Sequence, residues 1–329
     1  MRIETSAPTR IDLAGGTLDI WPLYLFHPGA QTINAAISLR ARAVLESRDD
    51  DRIVIHSVDT GVTLKADHWR DLPGRRELRL LALLCHFFEA HGITLTTASE
   101  SPAGAGIAGS SALNVAVCAA LADWNRTHYE PEALLQIAMN VEAQAIAVPT
   151  GVQDYRPALY GGIAAVELDV AGIRRVPLDV EPAELERRLV LCYTGEPRNS
   201  GTNNWEIMKE HIDGDRRVVE CFDRIRDAAA AMRVALAQAD WSAVGRTMAD
   251  EWDTRKQLAP GVSTAAIDDL IGRATRAGAE GAKVCGAGGG GCLVCIGPPG
   301  RREAIRAALE AGGARLLDVH IERHGLTRG

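Results

Sequence analysis

Apolar and polar residues alternate along several short runs in the first 60 residues of the chain. Because successive side chains of a β-strand point to opposite faces, this period of two predicts strands. The predicted strands cover residues 2–13, 32–45 and 52–57. Between the first two, glycines and prolines interrupt the pattern over 14–31 and predict a loop. The chain therefore begins as a β-rich region.

Longer runs with apolar residues at helical spacing follow, mixed with further strand-like runs. In the first half they predict helices over 77–91, 114–124 and 131–148, a strand over 93–98 and a hairpin after residue 158. In the second half they predict further strands, helices over 267–277 and 301–310, and a final strand over 315–322. The chain therefore mixes predicted strands with predicted helices. Its charged segment 180–188 suggests a division into domains 1–180 and 181–329.

A glycine-rich stretch, Ser101–Leu113, joins the predicted strand 93–98 to the predicted helix 114–124. Glycine permits positive φ angles and lets the backbone approach a ligand closely. The free N–H groups at a helix N-terminus attract anions. The stretch therefore predicts a phosphate-binding loop, and a glycine turn followed by a serine cap is the alternative interpretation.

A second glycine cluster, Gly288–Gly291, is flanked by apolar, strand-like residues, which argues against a flexible linker. A run without side chains lets a backbone or a ligand approach closely. Directly after it, Cys292 and Cys295 form a CxxC pattern. Cysteines three residues apart on a strand point to opposite faces, so we interpret this pair as buried apolar residues rather than a metal or redox site.

Composition and charge narrow the range of possible partners and functions. The net charge of −7 and the lack of a basic block argue against a nucleic-acid partner. No apolar run approaches the roughly 20 residues of a membrane span, and the N-terminus has no signal-peptide pattern. Seven scattered cysteines argue against a disulfide framework. We expect a cytoplasmic enzyme with no membrane partner; a homodimer is left open.

Three motifs together resemble the GHMP kinases, the superfamily of galactokinase, homoserine kinase, mevalonate kinase and phosphomevalonate kinase. They are APTRIDLAGGTLD near the start, PAGAGIAGSSA near residue 105 and KVCGAGGGG near residue 286. The chain is most similar to the branch that acts on D-glycero-D-manno-heptose 7-phosphate. The resemblance implies a two-domain α+β fold: an N-terminal domain like ribosomal protein S5 domain 2 and a ferredoxin-like C-terminal domain.

The resemblance also implies a site for ATP, Mg²⁺ and a sugar or sugar phosphate. Asp154 matches the catalytic base and Arg10 the basic residue beside it. Ser110 and Glu142 match the magnesium ligands, which would explain a carboxylate in an apolar helix. The loop around the ATP phosphates matches Pro102, Gly104, Ala105, Gly106, Ile107, Ala108, Gly109, Ser110 and Ser111. The substrate-binding candidates are Gly16, Thr17, Asp19, Arg198, Gly288 and Gly289.

The chain departs from the family pattern at several positions. The family usually has GLGSS where this chain has GIAGSS, so Ala108 replaces a glycine and Gly109 replaces a serine. Leu18 stands where threonine is usual, and Tyr155 replaces a common glutamine. Three functions stay open: a kinase for a heptose phosphate at its anomeric hydroxyl, a kinase for an unphosphorylated sugar such as fucose or for a cyclitol, and a sugar sensor without catalysis.

Overall fold

A computed structural model describes residues 1–197 and 200–329, and within the helix that begins at Ser200 the side chains of 200–203 are not described. Arg198, the sequence-based candidate for binding a substrate phosphate, therefore lies outside the described residues. The described chain forms two β-sheets covered by helices. Within residues 1–197 and 200–329, no helix combines the length and the apolar character that a membrane crossing requires.

The first sheet has eight strands, in the order β12-β1-β2-β5-β3-β4, and β6 and β7 join it through β2. All pairs are antiparallel except β3 with β5, which run parallel. The strands are β1 Arg2–Ala14, β2 Gln31–Ser47, β3 Ile53–Ser57, β4 Val62–Ala66, β5 Ile93–Ser99, β6 Ile163–Asp169, β7 Gly172–Pro177 and β12 Thr327–Arg328. The long pairing of β1 with β2 forms the centre of this sheet.

The first half of the chain contains four helices: α1 Arg79–Phe87, α2 Gly109–Trp124, α3 Pro131–Ile146 and α4 Tyr155–Tyr160. Three of them pack around the fourth, α2. Helix α2 is rich in alanine and buried on nearly all sides, between β1 and β2 on one side and α1, α3 and α4 on the other. A helix that is apolar all round must be buried, and small side chains let its neighbours approach closely. This packing fixes the N-terminal end of α2.

The second sheet is antiparallel, in the order β11-β8-β10-β9. Its strands are β8 Leu189–Tyr193, β9 Gly281–Val284, β10 Cys292–Ile296 and β11 Arg315–Leu317. The remaining helices are α5 Pro182–Glu186, α6 Ser200–Ile212, α7 Arg216–Ala237, α8 Trp241–Arg255, α9 Ala265–Arg276 and α10 Arg302–Ala311. Helices α7 and α8 pack together, and both contact β1 of the first sheet. Helix α8 also contacts β9 of the second sheet. One apolar core thus joins the two sheets.

Two sequence-based predictions need correction. The final strand, predicted over 315–322, ends at Leu317. The next residues leave the second sheet and bond to β2, where Glu322 N donates to Ala36 O and Ser38 N donates to His320 O. The predicted helix 77–91 covers only Arg79–Phe87, because the chain turns at Phe88 and Glu89. In both places a local pattern continues beyond the point where tertiary contacts end the element.

Candidate active site

The glycine-rich loop connects β5 to α2 and turns through left-handed backbone conformations. Gly104 and Gly106 have φ angles of 66° and 76°. Ala108, directly before α2, has φ 61° and provides no side-chain cap for the helix. The first N–H groups of α2 therefore have no side-chain acceptor at the cap and remain available to an anion. The predicted phosphate loop has the geometry that anion binding requires.

The two departures of this loop from the family pattern have different structural consequences. Ala108 occupies a left-handed conformation that costs an L-residue with a Cβ roughly 1–2 kcal/mol. A Cβ on Gly109 would lie 2.9 Å from both Cβ and Oγ of Ser101, so a side chain there requires the loop to shift. Glycine is thus favoured at 108, and a side chain at 109 would have to displace Ser101.

We expect Ala108→Gly to stabilise the protein by about 1 kcal/mol, because glycine relieves the left-handed strain. We expect Gly109→Ser to destabilise it, because the new Cβ collides with Ser101. Urea unfolding of both variants measures the two changes. Equal stability of Ala108→Gly and the parent chain would contradict the strain at residue 108.

A cavity of about 640 Å³ opens beside this loop. Among the described residues, its lining includes the loop 99–111, the end of α3 with the turn after it, and two residues of the second half of the chain, Asn204 and Arg315. The lining contains the predicted residues Pro102, Gly104, Ala105, Gly106, Ala108, Gly109, Ser110, Ser111, Glu142 and Asp154, together with Asp59, Glu100, Asn204 and Arg315. Ile107 instead packs into the core between the sheets.

Asp154 and Arg10 form a direct ion pair at the wall of this cavity. Arg10 is 1% exposed and donates from Nε (3.1 Å) and Nη2 (2.5 Å) to Oδ1 of Asp154. Its third donor group, Nη1, bonds to the carbonyl of Gly106 in the glycine loop at 2.8 Å. Burial alone would lower the pKa of Arg10, but the carboxylates of Asp154 and Asp12 raise it above its usual value. Arg10 therefore carries a fixed positive charge between the base candidate and the loop.

Glu142 lies buried on α3 and faces the start of α2. Its Oε1 accepts from Ser110 Oγ at 2.6 Å, and its Oε2 accepts from Tyr155 OH at 2.7 Å and from Asn114 Nδ2 at 3.3 Å. All three donors are neutral, and among the described residues Glu142 makes no ion pair. Burial raises the pKa of Glu142. A buried carboxylate with neutral partners requires a cation to hold its charge.

These residues fit a magnesium ion. Ser110 Oγ and Glu142 Oε1 form an adjacent pair of hard oxygen atoms on the cavity wall. In the part of the chain that the structure describes, no group of three or more His, Cys, Asp or Glu side chains could hold a metal. Mg²⁺ usually takes one or two protein oxygens and completes its shell with phosphates and water. The pair is therefore sufficient only together with a phosphorylated ligand.

Asp19 lies against Gly151, which lines the cavity, and is 1% exposed. Its Oδ2 accepts from the backbone N–H of Gln153 at 2.9 Å, directly before Asp154 in the chain. Burial, and to a smaller extent the charge of Asp154, raises the pKa of Asp19 to about 6. Asp19 is thus held beside the base candidate with a pKa near neutrality.

Asp19 makes folding stability depend on pH. Between about pH 4 and pH 6 the folded state keeps this proton while the unfolded state loses it, so its contribution to stability falls as pH rises. We expect Asp19→Asn to remove this loss, so that from pH 5 to pH 8 the parent loses about 1 kcal/mol more than the variant. Urea unfolding at both pH values measures the difference. Parallel pH profiles of the two proteins would contradict the raised pKa.

The remaining substrate-binding candidates lie around the second glycine cluster. Gly288 and Gly289 pack against Val262, and Gly289 N donates to its carbonyl at 2.8 Å. Thr17 Oγ1 accepts from Arg255 at 2.9 Å, and a Cβ on Gly16 would meet the same guanidinium. Among the described residues, these four do not line the 640 Å³ cavity. The structure brings Asp154, Arg10, Glu142 and Ser110 together. It places Gly16 and Thr17 against Arg255, and Gly288 against Val262.

Comparison with known proteins supplies the family. Residues 77–162 match the GHMP kinases N terminal domain, and residues 232–315 match the GHMP kinases C terminal domain. The chain belongs to the GHMP kinase superfamily. It is 27% identical over 336 residues to a D-glycero-alpha-D-manno-heptose 7-phosphate kinase of Campylobacter jejuni, covering 98% of each chain. It is also 27% identical to a mevalonate kinase of Thermococcus sibiricus, covering 99% of this chain and 98% of the relative.

Solved structures agree with this assignment. A putative sugar kinase from Campylobacter jejuni superposes with a TM-score of 0.80 and 25% identity, covering 100% of this chain and 98% of that one. The chain is therefore a kinase with the two-domain GHMP kinase fold, and its family uses ATP as the phosphate donor. The predicted family and fold class are confirmed.

The sequence analysis missed a set of buried charges in this GHMP kinase. Asp12, Glu251, Arg255 and Lys283 are each at most 1% exposed, and they contact one another. The signal was present: Asp12 lies between the apolar residues Ile11 and Leu13, two residues after Arg10, so the side chains of Arg10 and Asp12 point to the same face of the strand. A charged residue inside an apolar strand needs buried partners.

Proposed function

We propose that this GHMP kinase transfers the γ-phosphoryl group of ATP to the anomeric hydroxyl of a heptose phosphate, or of a closely related sugar phosphate. The Asp154–Arg10 pair at the wall of the cavity carries this proposal. It places a carboxylate and a buried guanidinium beside a glycine loop and a helix N-terminus. The similarity to the heptose 7-phosphate kinase of Campylobacter jejuni supports the choice of sugar.

In the proposed reaction Asp154 receives the proton of the sugar hydroxyl. Its Oδ1 is engaged by Arg10, which leaves Oδ2 for the substrate. Phosphoryl transfer passes through a loose transition state, so alignment and charge neutralisation contribute more than a strong base. The proton therefore moves late, when the hydroxyl oxygen has already begun to bond to phosphorus.

Three features of this chain would stabilise the negative charge that develops during transfer. They are the N–H groups at the start of α2, the backbone of the glycine loop and the Arg10 guanidinium, which is anchored to both Gly106 and Asp154. Such preorganised groups stabilise the transition state without reorganising during the reaction. Ser110 and Glu142 would hold Mg²⁺, which supplies further charge neutralisation at the phosphates. We place the ATP phosphates along 102–111 on this basis.

The acceptor sugar would lie near Asp154, within reach of Asp19 and the second half of the chain. Asn204 lines the cavity, and its buried Oδ1 has no hydrogen-bond partner among the described residues. A buried acceptor without a partner is costly, and a sugar hydroxyl would satisfy it. Gly16, Thr17, Gly288 and Gly289 do not line this cavity, so they would contact the sugar only where it extends beyond the cavity.

A phosphate on the substrate requires a cation. Arg198 is our candidate, and Arg315 is the one arginine in the described lining of the cavity. We expect Arg198→Ala to raise KM for the sugar phosphate about 10- to 100-fold, because a charge-assisted hydrogen bond is lost, with little effect on an unphosphorylated sugar. Steady-state kinetics of Arg198→Ala and Arg315→Ala on both sugars measures this. A larger effect of Arg315→Ala would place the phosphate beside β11 instead.

The proposed activity can be tested by a panel of acceptors with Mg·ATP, following ADP release. The panel contains D-glycero-D-manno-heptose 7-phosphate, the same heptose without phosphate, L-fucose and mevalonate. We expect the largest kcat/KM with the heptose phosphate. A preference for L-fucose or for mevalonate would contradict the proposed substrate, and no turnover with any acceptor would favour a sensor function.

A further inference from the structure

Asp12 lies at the centre of the buried charge cluster, which consists of Asp12, Glu251, Arg255 and Lys283. Its Oδ2 is 2.8 Å from Lys283 Nζ on β9 and 3.5 Å from Arg255 Nη1 on α8. Its Oδ1 accepts the backbone N–H of Gly286 at 3.0 Å and is 3.8 Å from Arg10 Nη1. One side chain of β1 thus contacts Gly286, the first glycine of the motif KVCGAGGGG (here called the third glycine motif), and lies beside the Arg10 guanidinium.

Lys283 and Arg255 extend the cluster on the side of the second sheet. Lys283 Nζ lies 2.5 Å from Glu251 Oε2, and Glu251 Oε1 accepts the N–H of Gly15 at 3.1 Å. Arg255 Nη2 donates to the carbonyl of Gly286 at 2.6 Å. Both backbone polar groups of Gly286 are therefore held by this cluster. The same side chains also fix the loop that follows β1.

The third glycine motif in turn supports the phosphate loop. Cys292 N donates to Ala105 O at 2.7 Å. Gly291 has φ 88°, and a Cβ there would lie 2.6 Å from the same carbonyl, so only glycine permits this contact. Displacement of the motif would therefore displace the loop, and through Gly106 the Arg10 guanidinium. The path from Asp12 to the transfer site consists of direct contacts throughout.

We infer that Asp12 and Lys283 are positioning residues. They hold the Arg10–Asp154 pair and the phosphate loop in a fixed position relative to the third glycine motif, across the two sheets. The charges balance: Asp12 and Glu251 face Lys283 and Arg255, while Arg10 faces Asp154. Burial alone would raise the pKa of Asp12, but Lys283, Arg10 and Arg255 hold it well below its usual value. Asp12 therefore stays ionised at every physiological pH.

This balance predicts how single and double variants behave. Lys283→Met removes one of the two cations, Lys283 and Arg255, that contact both Asp12 and Glu251. Asp12→Asn leaves Lys283 with one carboxylate fewer. The double variant Asp12→Asn with Lys283→Met removes one charge of each sign and should fold even where a single variant does not. The stability changes of two contacting residues are non-additive in this way when each single substitution leaves a buried charge without its partner.

The inference rests on the proposed function, and it has one readout that needs no acceptor sugar. Hydrogen–deuterium exchange of the backbone amides in 102–108 and 284–292 should quicken about tenfold in Lys283→Met, because Asp12, which accepts the Gly286 N–H, loses the ammonium group that it contacts. Arg233→Gln is the matched control. It removes a charged contact to Glu167 on β6, away from the site, and should leave exchange in both segments unchanged. Unchanged exchange in Lys283→Met and in Asp12→Asn would overturn the inference.

Kinetics on whichever acceptor the wild type phosphorylates supplies the second readout. We expect kcat of Lys283→Met and of Asp12→Asn to fall about 100-fold, with KM values for ATP and acceptor within about threefold, because only transition-state alignment is lost. The double variant should be no slower than the slower single variant. Additive losses, or a kcat equal to that of the wild type, would contradict the inference alone, whereas lack of turnover by the wild type would contradict the proposed function.

Discussion

Asp154→Asn is expected to lower kcat by about 10²–10⁴, because it removes the group that we propose as acceptor of the proton of the attacking hydroxyl. ATP affinity should change little, since Asp154 bonds to Arg10 and not to the glycine loop. Asparagine keeps the size of the side chain and an oxygen for Arg10. The measurements are kcat from coupled ADP release and ATP affinity from calorimetry.

Glu100→Gln is the matched control for this change. Glu100 lines the same cavity, and its Oε2 accepts the backbone N–H of Arg40, which glutamine can also accept. We expect its kcat to stay within about threefold of the parent. If Asp154→Asn retained the parent's kcat, Asp154 would have no part in proton transfer.

Glu142→Gln is expected to separate activity from stability. The change removes the proposed metal ligand, so kcat should fall about 100-fold and the complex with ATP should bind Mn²⁺ more weakly. The same change removes a buried charge whose described partners are all neutral, so the free protein should unfold at the same or a higher temperature. Electron paramagnetic resonance titration of Mn²⁺ and thermal unfolding measure the two effects.

Tyr155→Phe is the control beside it. It removes one neutral hydrogen bond to Glu142 and leaves the carboxylate in place. We expect weaker effects on Mn²⁺ binding than in Glu142→Gln. Equal Mn²⁺ affinity in Glu142→Gln and the parent would contradict a role of Glu142 as metal ligand.

The motifs were readable from the sequence because their chemistry is local. Gly104, Gly106 and Ser110 mark a loop and a helix start wherever the rest of the chain folds. Glu142 was conspicuous because a carboxylate interrupts an apolar helix. The structure places it against Ser110, at 2.6 Å. Family resemblance added the pairing of Arg10 with Asp154, which are 144 residues apart in the chain.

Contacts between distant segments could not be read in the same way. Asp12 and Lys283 are 271 residues apart, and neither lies in a pattern that names its partner. The left-handed conformation of Ala108 is also invisible in the sequence, since alanine usually favours right-handed helix. The predicted end of the strand that begins at Arg315 was wrong, because residues in 318–322 form hydrogen bonds with the first sheet instead. Each of these features depends on tertiary structure.

Phosphorus-31 NMR of the product formed from Mg·ATP and D-glycero-D-manno-heptose 7-phosphate tests the central claim most directly. The proposed function predicts a bisphosphorylated heptose with a new phosphorus resonance coupled to the anomeric proton, which Asp154→Asn should form about 10²–10⁴ times more slowly. A new phosphate on another hydroxyl would contradict transfer to the anomeric position. Failure of the wild type to transfer phosphate to this sugar, with transfer to another acceptor, would contradict the proposed substrate.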